Sequence, residues 1–177
     1  MHKLLIRPSA DADVPAIAAL YAHHVRHGGG TFELEPPDEA EMRRRRADVL
    51  GKSLPWLVAE RAEVLLGYAY ANHFRPRRAY RFCLEDSVYV ASEAQGQGVA
   101  RLLLAELLAR CTALGARQML AVIGDADNAG SIGLHRALGF RHAGVLEASG
   151  WKFGRWLDVV LMQRALGAGA TSPADDP

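Results

Sequence analysis

A glycine-containing turn at residues 95–100 has the composition of a phosphate-binding loop. A β-rich run, residues 87–91, precedes it, and an amphipathic helix begins directly after it. The first N–H groups of a helix have no intrahelical partner, and the helix dipole makes that end positive. Gly96 and Gly98 can adopt backbone angles closed to other residues and let a pyrophosphate approach the main chain. These residues predict a phosphate-containing ligand.

The spacing within the turn separates it from two familiar kinds of phosphate loop. No Gly-Lys-Ser/Thr follows, as a P-loop requires, and G-x-G-x-x-G is absent. The turn contains Gln95-x-x-Gly98-x-Ala100 instead. On the strand that leads into it lies Glu85, whose carboxylate could act as a general base. Asp86 is adjacent and points to the opposite face of that strand, so it is the poorer candidate.

Composition and charge narrow the class of protein. The chain has 177 residues, of which 50% are hydrophobic and 23% charged, which fits one soluble domain with a sizeable core. With 21 Lys and Arg against 20 Asp and Glu, the net charge of +1 gives no electrostatic reason to bind nucleic acid or an anionic membrane. The ligand must therefore be inferred from a site.

Cysteine and histidine usage favours a cytoplasmic protein without a metal. Cys83 and Cys111 are too few for a disulfide framework or a zinc cluster. The seven histidines show no metal-ligand spacing. The apolar stretch before Arg7 is too short for the core of a signal peptide. We expect a cytoplasmic location and no bound metal.

The order of elements predicts the fold class. Early strands joined as hairpins and later strands joined by helices indicate an α/β fold with a mixed central β-sheet flanked by helices on both faces. Residues 1–166 form the predicted domain, and residues 167–177, rich in Ala, Gly, Asp and Pro, a disordered tail. The Arg43–Arg46 run is interpreted as a solvated helix face. The predicted strands are 3–7, 56–60, 64–72, 81–91, 119–123 and 156–163, and the predicted helices are 12–27, 38–50, 99–114 and 128–138.

The turn resembles the pyrophosphate loop of the GCN5-related N-acetyltransferases (GNAT), which holds acetyl-CoA. Other motifs occur in the order typical of the phosphinothricin N-acetyltransferase branch, which includes the methionine sulfoximine and methionine sulfone acetyltransferases. Together they cover nearly everything from about residue 4 to residue 164, and they imply the acyl-CoA N-acyltransferase fold. The motifs are PWLVA at 55–59, GYAYA at 67–71, ExSVYV at 85–90, VIG at 122–124, NxxSIxLHxxLGF at 128–140 and GxKxGxWxD at 150–158.

The resemblance implies direct acetyl transfer from acetyl-CoA to the α-amine of a small amino acid, such as phosphinothricin, methionine sulfoximine or methionine sulfone. In the resembling enzymes the residue matching Glu85 is the general base, directly or through water. His135 stands where many family members have a Tyr. It could donate a proton to the leaving sulfur, or only hydrogen-bond the cofactor or substrate, and a purely structural histidine is the other interpretation.

The resemblance also assigns a cofactor site. Backbone N–H groups of Tyr89 and Val90 would hydrogen-bond the thioester carbonyl and stabilise its developing negative charge. Asn128 and Ser131 match positions that contact the pantetheine or phosphate arm, and Asn128 has an equally good reason to exist as a helix N-cap. The expected cofactor-binding residues are Val88, Tyr89, Val90, Gln95, Gly96, Gln97, Gly98, Val99, Ala100, Asn128 and Ser131.

The carboxylate of the acceptor amino acid is expected to need a positively charged side chain in the site. Arg75 and Arg77 match basic residues of the branch, and an Arg fork can hold a carboxylate in a bidentate grip. Thr31, Phe32 and Lys152 match positions near the acceptor pocket, often at a subunit interface. The resemblance therefore implies a homodimer with a small-molecule substrate and no nucleic-acid or membrane partner.

Two other functions fit the sequence. The same fold could acetylate another amine, such as a protein N-terminus or an antibiotic. A non-catalytic acyl-CoA-binding sensor could also keep the loop, but such a protein has no need for Glu85 and His135.

Overall fold

Seven strands form one mixed sheet in the computed structural model, which describes residues 3–174. The spatial order is β1-β2-β3-β4-β5-β7-β6, and only the β4–β5 pair is parallel among these strands. The strands are β1 (Leu5–Pro8), β2 (Trp56–Arg61), β3 (Val64–His73), β4 (Cys83–Val90), β5 (Gln118–Gly124), β6 (Arg141–Lys152) and β7 (Arg155–Ala165).

Helices cover both faces of the sheet, as predicted. On one face α1 (Val14–His27) and α2 (Glu39–Gly51) pack against each other and against the central strands. On the other face α3 (Val99–Ala113) crosses the central strands and α4 (Ala129–Ala137) packs against β5. The predicted fold class is therefore confirmed.

The sequence of α3 explains why it lies flat on the sheet. Leu103, Leu104, Leu107, Leu108 and Cys111 recur at helical spacing and are at most 3% exposed. Burial of a leucine side chain stabilises a fold by about 2 kcal/mol. Because α3 follows the phosphate-type turn directly, this packing fixes the direction in which the first turn of α3 points.

The last hairpin differs from the prediction, which had a single closing strand at residues 156–163. The structure adds β6, paired with β7 as an edge strand. Most β6 residues are exposed, and the register shifts between His142 and Gly144 and again between Leu146 and Gly150. Each shift breaks the alternation by which a strand is detected in sequence.

The arginine run of α2 is only in part the solvated face that was predicted, since Arg43 and Arg44 are exposed but Arg45 and Arg46 are not. Arg46 is 8% exposed, and it donates to the Ser9 hydroxyl at 2.7 Å and to the Ser9 carbonyl at 2.6 Å. Arg45 pairs with Glu33 at 2.5 Å and with Glu41 at 2.6 Å. These side chains therefore hold α2 against the start of α1 and the loop between them.

Residues 167–174, the described part of the tail that the sequence predicts to be disordered, follow β7 and include a turn at 167–170 and a bend at 171–172. Leu166 is 2% exposed. The Arg117 guanidinium donates to the carbonyl of Pro173 at 2.7 Å and to the hydroxyl of Ser172 at 3.1 Å. Residues 175–177 of the predicted tail lie outside the described residues.

The β6–β7 hairpin holds the α1–α2 loop (residues 28–38) in place. Lys152, at the end of β6, is 4% exposed and donates to the carbonyls of Gly28 at 2.9 Å and Thr31 at 2.7 Å. The Phe32 ring lies so close to Gly150 that a Cβ there would be 2.3 Å from a ring carbon. The position of this loop therefore depends on a hairpin more than 110 residues later in the chain.

We expect Gly150→Ala to lower the thermal unfolding midpoint, because the added methyl would displace the Phe32 ring at a cost of about 1–3 kcal/mol. Gly144→Ala, on the same strand, is the matched control, since no atom lies within 4 Å of a Cβ at that position. Calorimetry of the two variants measures the difference. Equal midpoints would contradict the close packing of Phe32 on Gly150.

Candidate active site

A cleft opens where β4 and β5 separate. The two strands pair from Cys83 to Asp86 only, whereas β4 stays paired with β3 as far as Val90. The cleft has a volume of about 840 Å³, within the range of small-molecule sites. Its walls come from β4, the turn before α3, the start of α4 and the α1–α2 loop.

The backbone of β4 directs hydrogen-bonding groups into this cleft. Ala91 N–H donates to Leu66 O of β3 at 2.9 Å, which shows that odd-numbered residues of β4 face β3. Because these groups alternate along a strand, Val88 and Val90 direct theirs toward the cleft and Tyr89 does not. For the thioester carbonyl, the register therefore favours the N–H of Val90 over that of Tyr89.

The turn between β4 and α3 has the open geometry that a phosphate needs. Gly96 and Gly98 have φ of +71° and +80°, and no atom lies within 4 Å of where a Cβ would be. Gly98 is the residue immediately before α3, so the first N–H groups of α3 face the same space. Gln97 does not line the cleft, because its side chain donates to Glu93 O at 2.7 Å and accepts from Arg61 at 3.0 Å.

The start of α4 forms the facing wall. The Asn128 side-chain oxygen accepts from the Ser131 N–H at 3.2 Å, so Asn128 is the helix N-cap. Both residues line the cleft. Apart from Gln97, every expected cofactor-binding residue lines it as well.

Glu85 lies in the cleft on the face of β4 opposite to Asp86 and is half-buried. Burial raises the pKa of Glu85, the negative charge of Asp86 raises it further, and the positive charge of Arg75 lowers it. A carboxyl group with a raised pKa is a better proton acceptor than an ordinary surface glutamate. A carboxylate in this position can accept a proton from a molecule bound in the cleft.

His135 contacts protein acceptors through both ring nitrogens. Nε2 lies 2.9 Å from Asp86 Oδ2, and Nδ1 lies 2.7 Å from the carbonyl oxygen of Ser131. The residue lines the cleft but is 2% exposed. Donation of a proton to a cofactor sulfur would therefore require that one of these two contacts break.

The expected acceptor residues fall into two groups. Arg75 and Arg77 are exposed in the loop between β3 and β4 and do not line the cleft, although the charge of Arg75 reaches Glu85. Thr31 lines the cleft, whereas Phe32 and Lys152 lie behind it and fix its position. Thr31 is itself held by the Tyr21 hydroxyl at 2.8 Å.

His24 is a site residue that the sequence reasoning missed. Its Nε2 lies 3.0 Å from Val90 O, at the wide end of the cleft. Because a carbonyl oxygen only accepts, Nε2 carries the hydrogen, and burial lowers the pKa of His24 and keeps the ring neutral. The available signal was its position three residues after Tyr21, beside the buried face of α1.

Among residues 3–174, no group of three His, Cys, Asp or Glu side chains is placed to hold a metal ion. No helix in that part of the chain is long and apolar enough to cross a membrane.

Comparison with known proteins agrees with this geometry. The sequence profile described as "Acetyltransferase (GNAT) family" matches residues 17–140. Phosphinothricin N-acetyltransferase of Alcaligenes faecalis is 60% identical over 94% of this chain and 85% of its own length. L-methionine sulfoximine/L-methionine sulfone acetyltransferase of Pseudomonas aeruginosa is 38% identical over 95% and 98%.

Solved structures show the same likeness. A phosphinothricin acetyltransferase from Sinorhizobium meliloti in complex with acetyl-CoA has a TM-score of 0.95 and 47% identity, covering 98% of this chain and 94% of its own. A ribosomal-protein-alanine N-acetyltransferase from Brucella melitensis has a TM-score of 0.89 and 40% identity, covering 92% and 99%. With its mixed sheet, strand fork and phosphate-type turn, the chain belongs to the GNAT acetyltransferase family.

Proposed function

We propose that this protein uses acetyl-CoA to acetylate the α-amine of a small amino acid or analogue, such as phosphinothricin, methionine sulfoximine or methionine sulfone. The observation that carries the proposal is Glu85, a half-buried carboxylate of raised pKa in a cleft whose other end is a phosphate-type turn. The relatives named for these substrates support the choice of acceptor.

The donor side of the cleft fits acetyl-CoA, which supplies the acetyl group as a thioester. Gly96, Gly98 and the first N–H groups of α3 would hold its pyrophosphate, since the space beside both glycines is open. Val88 and Val90 direct backbone groups at the position of the pantetheine arm and thioester. Asn128 and Ser131 would line that arm from α4.

Glu85 takes the proton that the acceptor ammonium must lose before its nitrogen can attack the thioester carbon. The N–H of Val90 would stabilise negative charge on the carbonyl oxygen as the new C–N bond forms. The C–S bond then breaks, and CoA leaves as a thiolate that takes the second proton from the acetylated nitrogen. Arg75 and Arg77, exposed in the loop between β3 and β4, would attract the acceptor carboxylate as it approaches the cleft. Thr31, fixed by Phe32 and Lys152, forms the opposite wall.

A homodimer through the β6–β7 hairpin fits the same proposal, as does a cytoplasmic location. β6 is an edge strand, and its hairpin exposes a patch of large apolar side chains. Sedimentation of the purified protein as a monomer at micromolar concentration would contradict the dimer. The side chains of the patch are Val145, Leu146, Trp151, Phe153 and Trp156.

A second candidate acceptor is the N-terminal amine of a protein. The likeness to a ribosomal-protein-alanine N-acetyltransferase favours it. The positive charge of Arg75, which acts on Glu85 from the β3–β4 loop, favours the free amino acid, because it would attract an α-carboxylate that an N-terminal peptide residue lacks.

The test is release of free thiol from acetyl-CoA with a panel of acceptors. We expect release with phosphinothricin, methionine sulfoximine and methionine sulfone, and little with an alanine-starting peptide. Release with the peptide alone would establish the second candidate, and release with none would contradict the proposal. Glu85→Gln is the control for catalysis and should lower kcat by about 10²–10⁴-fold while acetyl-CoA binding is kept.

The raised pKa of Glu85 has two pH consequences. The acid limb of kcat/KM should lie above the ordinary glutamate value of about 4.3. Folded Glu85 also holds its proton to higher pH than unfolded Glu85, so its contribution to stability falls as pH rises through that window. The unfolding free energy of Glu85→Gln at neutral pH should therefore match or exceed that of the wild type in urea titrations, and a clear loss would contradict this account.

The two ends of α3 provide a matched pair that tests the pyrophosphate loop. Gly98 precedes α3 with φ of +80°, and Gly115 follows it with φ of +86°, both with open space around a Cβ. Alanine at either position should cost about 1–2 kcal/mol of backbone strain. We expect only Gly98→Ala to raise the KM for acetyl-CoA, since Gly98 lines the cleft and Gly115 does not. Equal acetyl-CoA KM values for Gly98→Ala and Gly115→Ala would contradict the placement of this loop in the cofactor site.

A further inference from the structure

Asp86 and His135 form a buried pair on the face of β4 that carries α3 and α4. Their side chains are 1% and 3% exposed, and Oδ2 lies 2.9 Å from Nε2. From the sequence, Asp86 is the poorer candidate for a general base, because it points to the face of β4 opposite to Glu85. Two ionisable groups so fully removed from water require an explanation, since an unpaired charge there would be strongly destabilising.

The contacts of His135 determine where its hydrogens lie. The Ser131 carbonyl oxygen can only accept, so Nδ1 carries a hydrogen. A second hydrogen must lie between Nε2 and Oδ2, because a bare nitrogen facing a carboxylate oxygen would place two acceptors in contact. Burial alone would lower the pKa of His135, but the hydrogen bond and charge of Asp86, together with the Ser131 carbonyl, raise it overall.

The pair lies at the fork of the cleft. Asp86 is the last residue of β4 that pairs with β5, opposite Ala121. His135 is on α4, one turn after Ser131, and its ring packs edge-on against Phe140 with centroids 4.9 Å apart. The pair therefore fastens the α4 wall of the cleft to the strand that carries Glu85.

We propose, on the basis of the function above, that Asp86 is a positioning residue. It keeps His135 doubly protonated and fastened at the fork, so that His135 fixes the thioester end of the cleft and gives no proton to the sulfur. If His135 gave up the proton on Nε2, that nitrogen and Asp86 Oδ2 would face each other as two acceptors with no hydrogen between them. The cost of this contact opposes transfer of the proton to the sulfur.

One other titratable group faces the pair, and a second lies beside Asp86 on the opposite face of β4. The Cys111 thiol of α3 is buried, and its burial and the charge of Asp86 raise its pKa to about 12, so it stays neutral. Glu85 is next to Asp86 in β4, and the charge of Asp86 raises the pKa of Glu85. Because Asp86 holds the second hydrogen on His135, Asp86→Asn should leave the His135 ring neutral, a change that a merely structural role would not produce.

The test combines a double-mutant cycle with a measurement on the wild type. Asp86→Asn keeps the volume and removes the charge, and His135→Gln removes the ring. We expect each substitution to lower kcat/KM by about 10- to 10²-fold, as a small displacement of a reacting group does. The double variant should be no less active than the less active of the two single variants, because the two residues act as one unit. Asp48→Asn removes an exposed carboxylate beside Lys52 and is the control, expected to keep wild-type kinetics.

Nitrogen NMR of histidine-labelled wild type tests the protonation state without any variant. Both ring nitrogens of His135, assigned by their absence in His135→Gln, should carry hydrogen at neutral pH. A neutral ring at neutral pH would overturn the proposal. So would a kcat loss of about 10³-fold in His135→Gln beside a near-normal Asp86→Asn, the pattern of a direct acid. Absence of acetyl transfer by the wild type would refute the proposed function alone, since the NMR result does not depend on turnover.

Discussion

The separation of β4 from β5 is the constraint on which the site depends. A parallel pair that ends after four residue pairs leaves the next backbone groups of β4 without a strand partner on that side. Buried backbone groups need hydrogen-bond partners. This fork is therefore suited to a ligand that forms hydrogen bonds with β4 where β5 no longer does. The pantetheine arm of acetyl-CoA, with its amide groups, has the chemistry to do so.

The same strand separates two electrostatic tasks by the alternation of its side chains. Glu85 faces the acceptor side, where partial burial makes its carboxylate hold a proton more readily. Asp86 faces the opposite side, where it is neutralised by His135. Two adjacent acids thus differ in role because the pleat places them in different surroundings.

The donor side was predictable because it is local. The strand, the glycine turn and the first turn of α3 are contiguous, and each has a sequence signature, as does the N-cap at Asn128. Fold class followed from the order of elements for a similar reason. The elements found at the predicted places include α2, whose cap at Asp38 accepts from Glu41 N–H at 2.8 Å.

What the sequence did not reveal depends on contacts between distant segments. The charge of Arg46 suggested solvent, but its guanidinium is satisfied by Ser9, 37 positions away. The strand β6 lacks alternation because two bulges shift its register. The pairing of His135 with Asp86 spans 49 positions, and no local pattern indicates it.

The attachment of the α1–α2 loop by Lys152 has a consequence for synthesis on the ribosome. The donor side is encoded by residues 83–135, whereas the acceptor wall is fixed by a lysine and a glycine near residue 150 that bind a loop at residues 28–32. During synthesis from the N-terminus, the chain therefore contains every element of the fork before it contains the residues that hold the α1–α2 loop in place. The wall formed by the α1–α2 loop therefore depends on residues that are synthesised after those that line the fork.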